Sequence, residues 1–395
     1  MHRRASASLA TAAVTALTLA ACGGPGAEEG GGDGPIPIGV LSDLSGATAD
    51  VGTPYSEGIR GYADWLNEQG GIDGREIDLK LNDYAYDVAR AEQLYSQYVN
   101  EGVVAVQGWG TGDTEALRQK VAQDELPFMS ASYAETLVDP EESPYNFVVA
   151  ATYSDQMRVA LDWIASDSGG DGTVAVFHHD SPFGTSPVAD GEAYIEENDL
   201  GLGYDNYAMP EGATDYVAQL NRAESAGAEY VVVQNVSSPA AMLASNIAQQ
   251  NLDMTVVCLN WCADEQFIDL AGDAAEGHMM VQPFSPPSDP VDGHTDPADF
   301  LESQGESLED KGLHYVQGWY TMHVMAEGIR HTIDSGQEVT GSNLRDALRS
   351  MDPVDTGDVT VPISFDSDSH RGMDGTGIYQ VDDGALTAVE RGVTP

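Results

Sequence analysis

From Ile36 onward, short apolar runs alternate with longer segments whose apolar residues recur at helical spacing, and that alternation restricts the chain to folds built on parallel sheets. Ile36 to Leu41 reads as a strand, and the segment after it places Tyr55, Ile59, Tyr62, Ala63 and Leu66 on one helical face. Thr53 is expected to cap that helix with Pro54 in its first turn, and Gly70-Gly71 to end it. The pattern continues as strand Glu76 to Leu81, helix Asp87 to Asn100, strand Val103 to Gln107, helix Thr114 to Gln123 and strand Pro127 to Ala131. A second series follows: helix Ser154 to Ser166, strand Thr173 to Phe177, helix Pro187 to Glu197, strand Leu202 to Tyr207 and helix Ala213 to Ala226. Strand Glu229 to Val233, helix Pro239 to Gln250 and strand Thr255 to Leu259 complete it. Two doubly wound α/β lobes imply a cleft between them. An acidic, Pro-rich loop from Ser285 to Pro297 precedes a long helix from Leu313 to about Thr332, and short strands and turns follow Val359.

The N-terminus reads differently. Arg3 and Arg4 precede a short apolar run, Leu9 to Leu19, that ends in Leu19-Ala20-Ala21-Cys22. A membrane-spanning helix needs ~20 apolar residues, so residues 1–21 are expected to be a signal peptide. Leu-Ala-Ala-Cys resembles the bacterial lipobox, which implies a lipid on Cys22 and anchoring to the cell membrane. Residues 22–34 hold almost nothing but Gly, Pro, Ala, Glu and Asp and are expected to act as a flexible tether.

The 395 residues are 42% hydrophobic, enough to fill more than one core. Against 16 Lys and Arg stand 65 Asp and Glu, spread along the chain. Such a balance excludes a nucleic-acid partner, which requires a basic footprint, and it is read as adaptation to high salt, where self-repulsion is screened. Cys258 and Cys262 are left as either a disulfide closing a very short loop or two thiols near a cleft. No zinc-ligand spacing, H-E-x-x-H, P-loop or G-x-S-x-G is present. Neither a cofactor nor enzymatic activity is therefore expected, and His178-His179-Asp180 with Ser181 is assigned to the rim of the cleft.

Three ordered strings resemble the leucine/isoleucine/valine-binding family of ABC-transporter substrate-binding proteins. They are Ile38-Gly39-Val40 with Leu44-Ser45-Gly46, then Asn67 to Arg75, then Ala271 to Gly277. The resemblance implies a type I periplasmic binding fold, α/β, with two doubly wound parallel-sheet lobes joined by a three-crossover hinge. Residues 35–151 with 284–376 would form the N-lobe and residues 152–283 with 377–395 the C-lobe. The long Leu313 helix would return to the first lobe. Closure of the lobes would trap a small molecule, and the transmembrane subunits of an ABC permease would read the closed form. A ligand-sensing lipoprotein of the same fold, signalling to a membrane partner, is the alternative.

Ligands of doubly wound sheets lie outside the carboxyl ends of the strands. After Gln107, the turn Gly108-Trp109-Gly110-Thr111-Gly112-Asp113-Thr114 opens a helix whose free N–H groups favour an anion. By the resemblance, the Ser130-Ala131-Ser132-Tyr133 loop supplies backbone and hydroxyl contacts. Asn260 stands where amino-acid binders place an acid, and Val51, Phe183 and Ser237 where branched-chain binders have Tyr. A neutral amide does not neutralise a buried ammonium. The expected ligand set is Trp109, Gly112, Asp113, Thr114, Ala131, Ser132, Tyr133, Phe183, Ser237, Asn260 and Trp261, with no metal. Four aromatics at strand ends point to an aromatic or alicyclic carboxylate, with an amide, a urea-like solute or a small amino acid left open.

Overall fold

The computed structural model describes residues 34–395, so the expected signal peptide, most of the expected tether and the expected lipidation site Cys22 lie outside the described residues. The first sheet holds β1 (Ile36–Ser42), β2 (Ile77–Asp83), β3 (Ala105–Gly108), β4 (Phe128–Ser130) and β5 (Asn146–Phe147) in the order β2-β1-β3-β4-β5, all parallel. The second holds β6 (Thr173–His179), β7 (Gly203–Met209), β8 (Tyr230–Gln234), β9 (Thr255–Cys258) and β10 (Met279–Gln282) in parallel. To these β11 (Thr376–Asp382) and β12 (Ala385–Val393) add as antiparallel strands, in the order β12-β11-β10-β9-β8-β6-β7. Strand order reverses around β1 and β3 in one sheet and around β6 and β8 in the other, which creates a switch-point crevice in each. The α/β fold of two doubly wound lobes follows from the alternating sequence pattern.

The chain passes between the sheets after β5, after β10 and again before β11. Asp155 anchors the first passage. It caps the helix Tyr153–Ser168 in a capping box with Thr152 and accepts from Arg371 Nη1 at 3.0 and 3.1 Å and from Arg158 Nη1 at 3.1 Å. Asp155 is buried while both arginines reach solvent. Removing the arginines would leave the buried Asp155 carboxylate with a desolvation cost that no cation offsets.

Between the second and third passages runs the helix Leu313–Asp334, which packs along the first-lobe helix Ala49–Glu68. Close approach is possible because two glycines meet there. A Cβ on Gly58 would lie 2.0 Å from the Tyr315 carbonyl oxygen, and one on Gly318 would lie 1.9 Å from that of Tyr55. Tyr55, Tyr62, Tyr315 and Trp319 then fill the space beside this crossing and are almost fully buried.

Several boundaries differ from the sequence reading, each for a local reason. The first helix starts at Ala49, one turn before Thr53, so Pro54 lies inside it. Buried Asp43 organises the earlier start by accepting from Gly46 N at 2.6 Å, Thr48 N at 2.9 Å and Thr48 Oγ1 at 2.8 Å. The helix after β3 likewise begins at Thr111, with Thr114 already in its first turn. Helix Val217–Ser225 is shorter than Ala213 to Ala226, because residues 210–216 form turns, and a helix starting at Thr295 replaces the end of the expected Pro-rich loop. Cys258 and Cys262 are joined as a disulfide at the end of β9.

The glycine crossing generates a stability prediction. Gly318→Ala overpacks the helix pair and is expected to lower unfolding free energy by about 3 kcal/mol. Gly112→Ala, whose Cβ meets nothing closer than 3.7 Å, keeps or gains stability because it sits inside a helix. Urea unfolding of the two variants checks the contrast.

Candidate functional site

The carboxyl ends of both parallel sheets face one another, and the loops that leave them enclose a cavity of about 20 Å³. The first lobe contributes Thr48 after β1, Tyr86 after β2, Trp109, Gly110 and Thr111 after β3, and Ala131 after β4. Tyr153, Phe183, Val236 and Trp261 follow β5, β6, β8 and β9. Half of these ten residues are aromatic. Trp109 and Trp261 meet across the seam with ring centroids 4.9 Å apart at 64°, and Tyr153 and Phe183 meet edge-on at 5.5 Å. The remaining space is little more than room for one water, so admitting a solute requires the two tryptophans, and hence the lobes, to part.

Hydrogen bonds orient the rings. Trp109 Nε1 donates to Thr48 Oγ1 at 2.8 Å, and Trp261 Nε1 donates to the Tyr153 hydroxyl at 2.9 Å. Tyr133 and His314 both stack with Trp261, at 5.6 and 5.3 Å, and Tyr55 packs against both tryptophans. The hydroxyls of Tyr55 and Tyr133 are buried without a hydrogen-bond partner among the described residues.

The acids near the seam are engaged or buried. Asp264 caps the helix Glu265–Ala271 through Phe267 N at 2.7 Å, and its other oxygen pairs with His314 Nε2 at 2.5 Å and with the Ser237 hydroxyl. Burial pulls the His314 imidazole down, but the Asp264 carboxylate outweighs it and leaves the ring above the usual histidine range. Asp113 accepts from the Tyr84 hydroxyl at 2.8 Å through one oxygen, while the other has no partner among the described residues. Burial pushes its carboxyl up to about 7. His179, beside Tyr86 and Phe183 and within 2.7 Å of Ser181 Oγ, is held below its usual range by burial.

Of the sequence-selected residues, Trp109, Ala131, Phe183 and Trp261 line the cavity. Gly112 faces Pro182 of the other lobe at the rim. Asp113, Thr114, Ser132, Tyr133 and Ser237 do not line it: they stand behind the wall, where Thr114 Oγ1 bonds Gly110 O and Ser130, Ser132 Oγ bonds Thr111 Oγ1, and Ser237 bonds Asp264. Asn260 is not at the cavity either. Its backbone N–H donates to Gln156 and its side-chain oxygen accepts from Gln317 at 2.7 Å, in a buried amide network that includes Gln282. The expected set omitted Thr48, Tyr86, Gly110, Thr111, Tyr153 and Val236. Gly110 and Thr111 sit inside the glycine-rich turn already singled out. Tyr86 and Tyr153 follow β2 and β5, two strands after which no expected ligand residue stands. Among the described residues no cluster of His, Cys, Asp or Glu is arranged to hold a metal, and no helix is long and apolar enough to cross a membrane.

Residues 35–385 of the chain match one family model, described as periplasmic binding protein. The chain belongs to the periplasmic binding protein family. It is a substrate-binding protein of the kind that serves ABC transporters; members are extracytoplasmic solute binders and not enzymes. It is similar to the Leu/Ile/Val-binding protein homolog 2 of Brucella abortus, 23% identical over 337 residues, covering 84% of this chain and 86% of the relative. It is also similar to the leucine-, isoleucine-, valine-, threonine- and alanine-binding protein of Pseudomonas aeruginosa, 22% identical, covering 78% and 82% of the two chains. A branched chain amino acid ABC transporter protein from Thermus thermophilus, solved with bound valine, superposes with a TM-score of 0.86 at 26% identity, covering 92% of this chain and 97% of that one. A fatty acid ABC transporter substrate-binding protein from Thermomonospora curvata shares the fold with a TM-score of 0.82 at 21% identity, over 93% and 96%.

Asp113 generates a pH prediction. Between about pH 4 and 7 the carboxyl is ionised in the unfolded chain and protonated in this family member's folded state, so its contribution to stability falls as pH rises through that window. The slope reaches at most about 1.4 kcal/mol per pH unit. Asp113→Asn removes this component: urea midpoints at pH 5 and pH 7.5 should drop more in the wild type than in the variant, and parallel drops would contradict it.

Proposed function

We propose that this protein is the lipid-anchored solute receptor of an ABC importer, which traps one small organic molecule between its lobes and delivers it to the permease. The observation that carries this reading is the seam pocket itself: its walls come from both lobes, and Trp109 and Trp261 meet across it. A solute that separates the rings in the open form is buried by them in the closed form, which couples occupancy to domain closure. The lobes are assigned as residues 35–151 with 284–376 and residues 152–283 with 377–395.

Within the pocket, Trp109, Phe183, Trp261 and Ala131 are assigned to direct contact with the solute. Asp113, Thr114, Ser132, Tyr133, Ser237 and Asn260 are assigned to holding that wall, and Gly112 to the rim. Cys22, at the end of Leu19-Ala20-Ala21-Cys22, is assigned as the lipid attachment point, and residues 22–34 as the tether that holds the folded body off the membrane. The formal net charge of −49 suits work at high ionic strength, where acid-acid repulsion is screened within ~3 Å at 1 M salt. The ammonium of a branched-chain amino acid, the ligand class the relatives are named for, would find these groups already engaged: Asp264 pairs with His314 and Ser237, and the Asn260 side-chain oxygen accepts from Gln317.

The test is a thermal-shift and calorimetry screen of the purified protein in molar salt against amino acids, amides, urea, alkylammonium solutes, fatty acids and aromatic carboxylates. A true solute binds one per chain and adds ~2.7 kcal/mol of stability at a hundredfold excess over Kd. Trp109→Ala and Trp261→Ala should each weaken it at least tenfold. A solute bound equally well by both variants lies elsewhere and contradicts the seam assignment.

A further inference from the structure

Resting on the solute-binding reading above, we propose that the seam pocket is an aromatic cage for a fully alkylated ammonium group, the headgroup shared by choline-type cations and betaine-type zwitterions. Three observations favour this group over the other common charged groups.

The first is the composition of the wall. Tyr86, Trp109, Tyr153, Phe183 and Trp261 supply rings from both lobes, while the lining contains no Lys, Arg or His. The electron-rich faces of such rings attract a cation, most strongly Trp and most strongly when water is excluded. His314 stacks with Trp261 but is paired with the Asp264 carboxylate, so it adds no net positive charge to the pocket.

The second concerns anions. The N-terminus of helix Thr111–Gln123 would suit a carboxylate, but the helix carries a buried acid of its own, Asp113, in its first turn. A Cβ built on Gly110 would lie 2.3 Å from Asp113 Oδ1, and the Gly110 N–H donates to the Tyr84 hydroxyl at 3.1 Å. Asp113 itself is buried, and its second oxygen has no partner among the described residues. Behind Thr48 lies a second buried acid, Asp43. A cation held in the pocket would favour the ionised form of Asp113, so the first-lobe wall favours a cationic group, and the lining offers an isolated anion no cationic side chain to pair with.

The third concerns N–H donors. A primary ammonium buried in a closed cleft needs several acceptors. Asp264 is engaged by Phe267 N, His314 and Ser237, Asp43 by Gly46 and Thr48, and the Asn260 side-chain oxygen by Gln317, which leaves the second Asp113 oxygen as the one of these acid oxygens with no partner among the described residues, against the three N–H groups of a primary ammonium. A nitrogen carrying only alkyl groups has no N–H to satisfy. Its methyl groups pack against rings, and its spread charge is met by the ring faces and the buried acids.

Calorimetry on the full chain at one fixed salt concentration tests this with choline, glycine betaine, the neutral alcohol in which carbon replaces the choline nitrogen, valine and benzoate. Choline or glycine betaine is expected to bind one per chain at least tenfold tighter than the neutral isostere. Trp261→Ala should lose at least tenfold and Trp261→Phe only a fewfold, a difference that unfolding cannot mimic. Preference for glycine betaine over choline assigns a carboxylate subsite beside the cage, and the reverse assigns a pure cation site. Isostere binding as tight as choline overturns the inference, as does tighter binding of valine or benzoate. In that last case binding lost in Trp109→Ala leaves the solute-receptor reading standing and removes only the cage. If none of the five binds, the cage is likewise overturned, and the wider screen decides the receptor reading separately.

Discussion

Parallel pairing sends the carboxyl end of every strand to the same edge of its sheet, and in this protein two such edges face each other. Everything at the seam depends on that constraint. Strand order 2-1-3 in the first sheet and 7-6-8 in the second leaves a crevice where connections diverge to opposite faces. Thr48 and Trp109 flank one crevice, and Phe183 and Val236 flank the other. The pocket is thus a product of topology before it is a product of side chains, and the side chains then set what it accepts.

Holding two edges in register across a hinge requires polar contacts that survive burial. Asp155 gathers Thr152, Arg158 and Arg371 where the first and third strands of the hinge run together. Asn260, Gln282 and Gln317 exchange amide bonds between the end of β9, the end of β10 and the returning helix, while Asp264 ties His314 to Ser237 nearby. Such networks contribute less to net stability than to geometry, because removing one member strands a buried group. Here they position Trp261, whose indole is stacked with His314 and Tyr133 and hydrogen-bonded to Tyr153. At the mouth, Asp50 of the first lobe accepts from Ser238 N at 3.1 Å and Ser238 Oγ at 2.7 Å, so a first-lobe acid sits at the N-terminus of the second-lobe helix Ser237–Gln250.

Much of this was legible in the sequence because strand-length apolar runs and helical periodicity are local. The alternation identified both sheets, and the rule that ligands gather at strand ends found Trp109, Ala131, Phe183 and Trp261. What escaped was set by contacts distant in sequence. Asp43 starts the first helix early through bonds that no propensity encodes, and this brings Thr48 to the pocket. Tyr153 enters because the first crossing turns it toward Trp261, 108 residues away. Asn260 is selected by its place at the end of β9, but the partner of its side-chain oxygen, Gln317, lies on the helix Leu313–Asp334, whose approach depends on Gly58 and Gly318. Spacing alone left Cys258 and Cys262 open between two states, and the end of β9 brings them together.

The central claim is that a solute reaches the aromatic seam only when the lobes part. The most direct measurement pairs Asp50→Cys with Ser238→Cys, which places a cross-link across the closed mouth, and follows binding of the tightest solute from the screen before and after oxidation. The account predicts binding by the reduced protein and none by the cross-linked one when solute is added after oxidation. Equal binding by both forms would show that the solute enters without opening, and would contradict it.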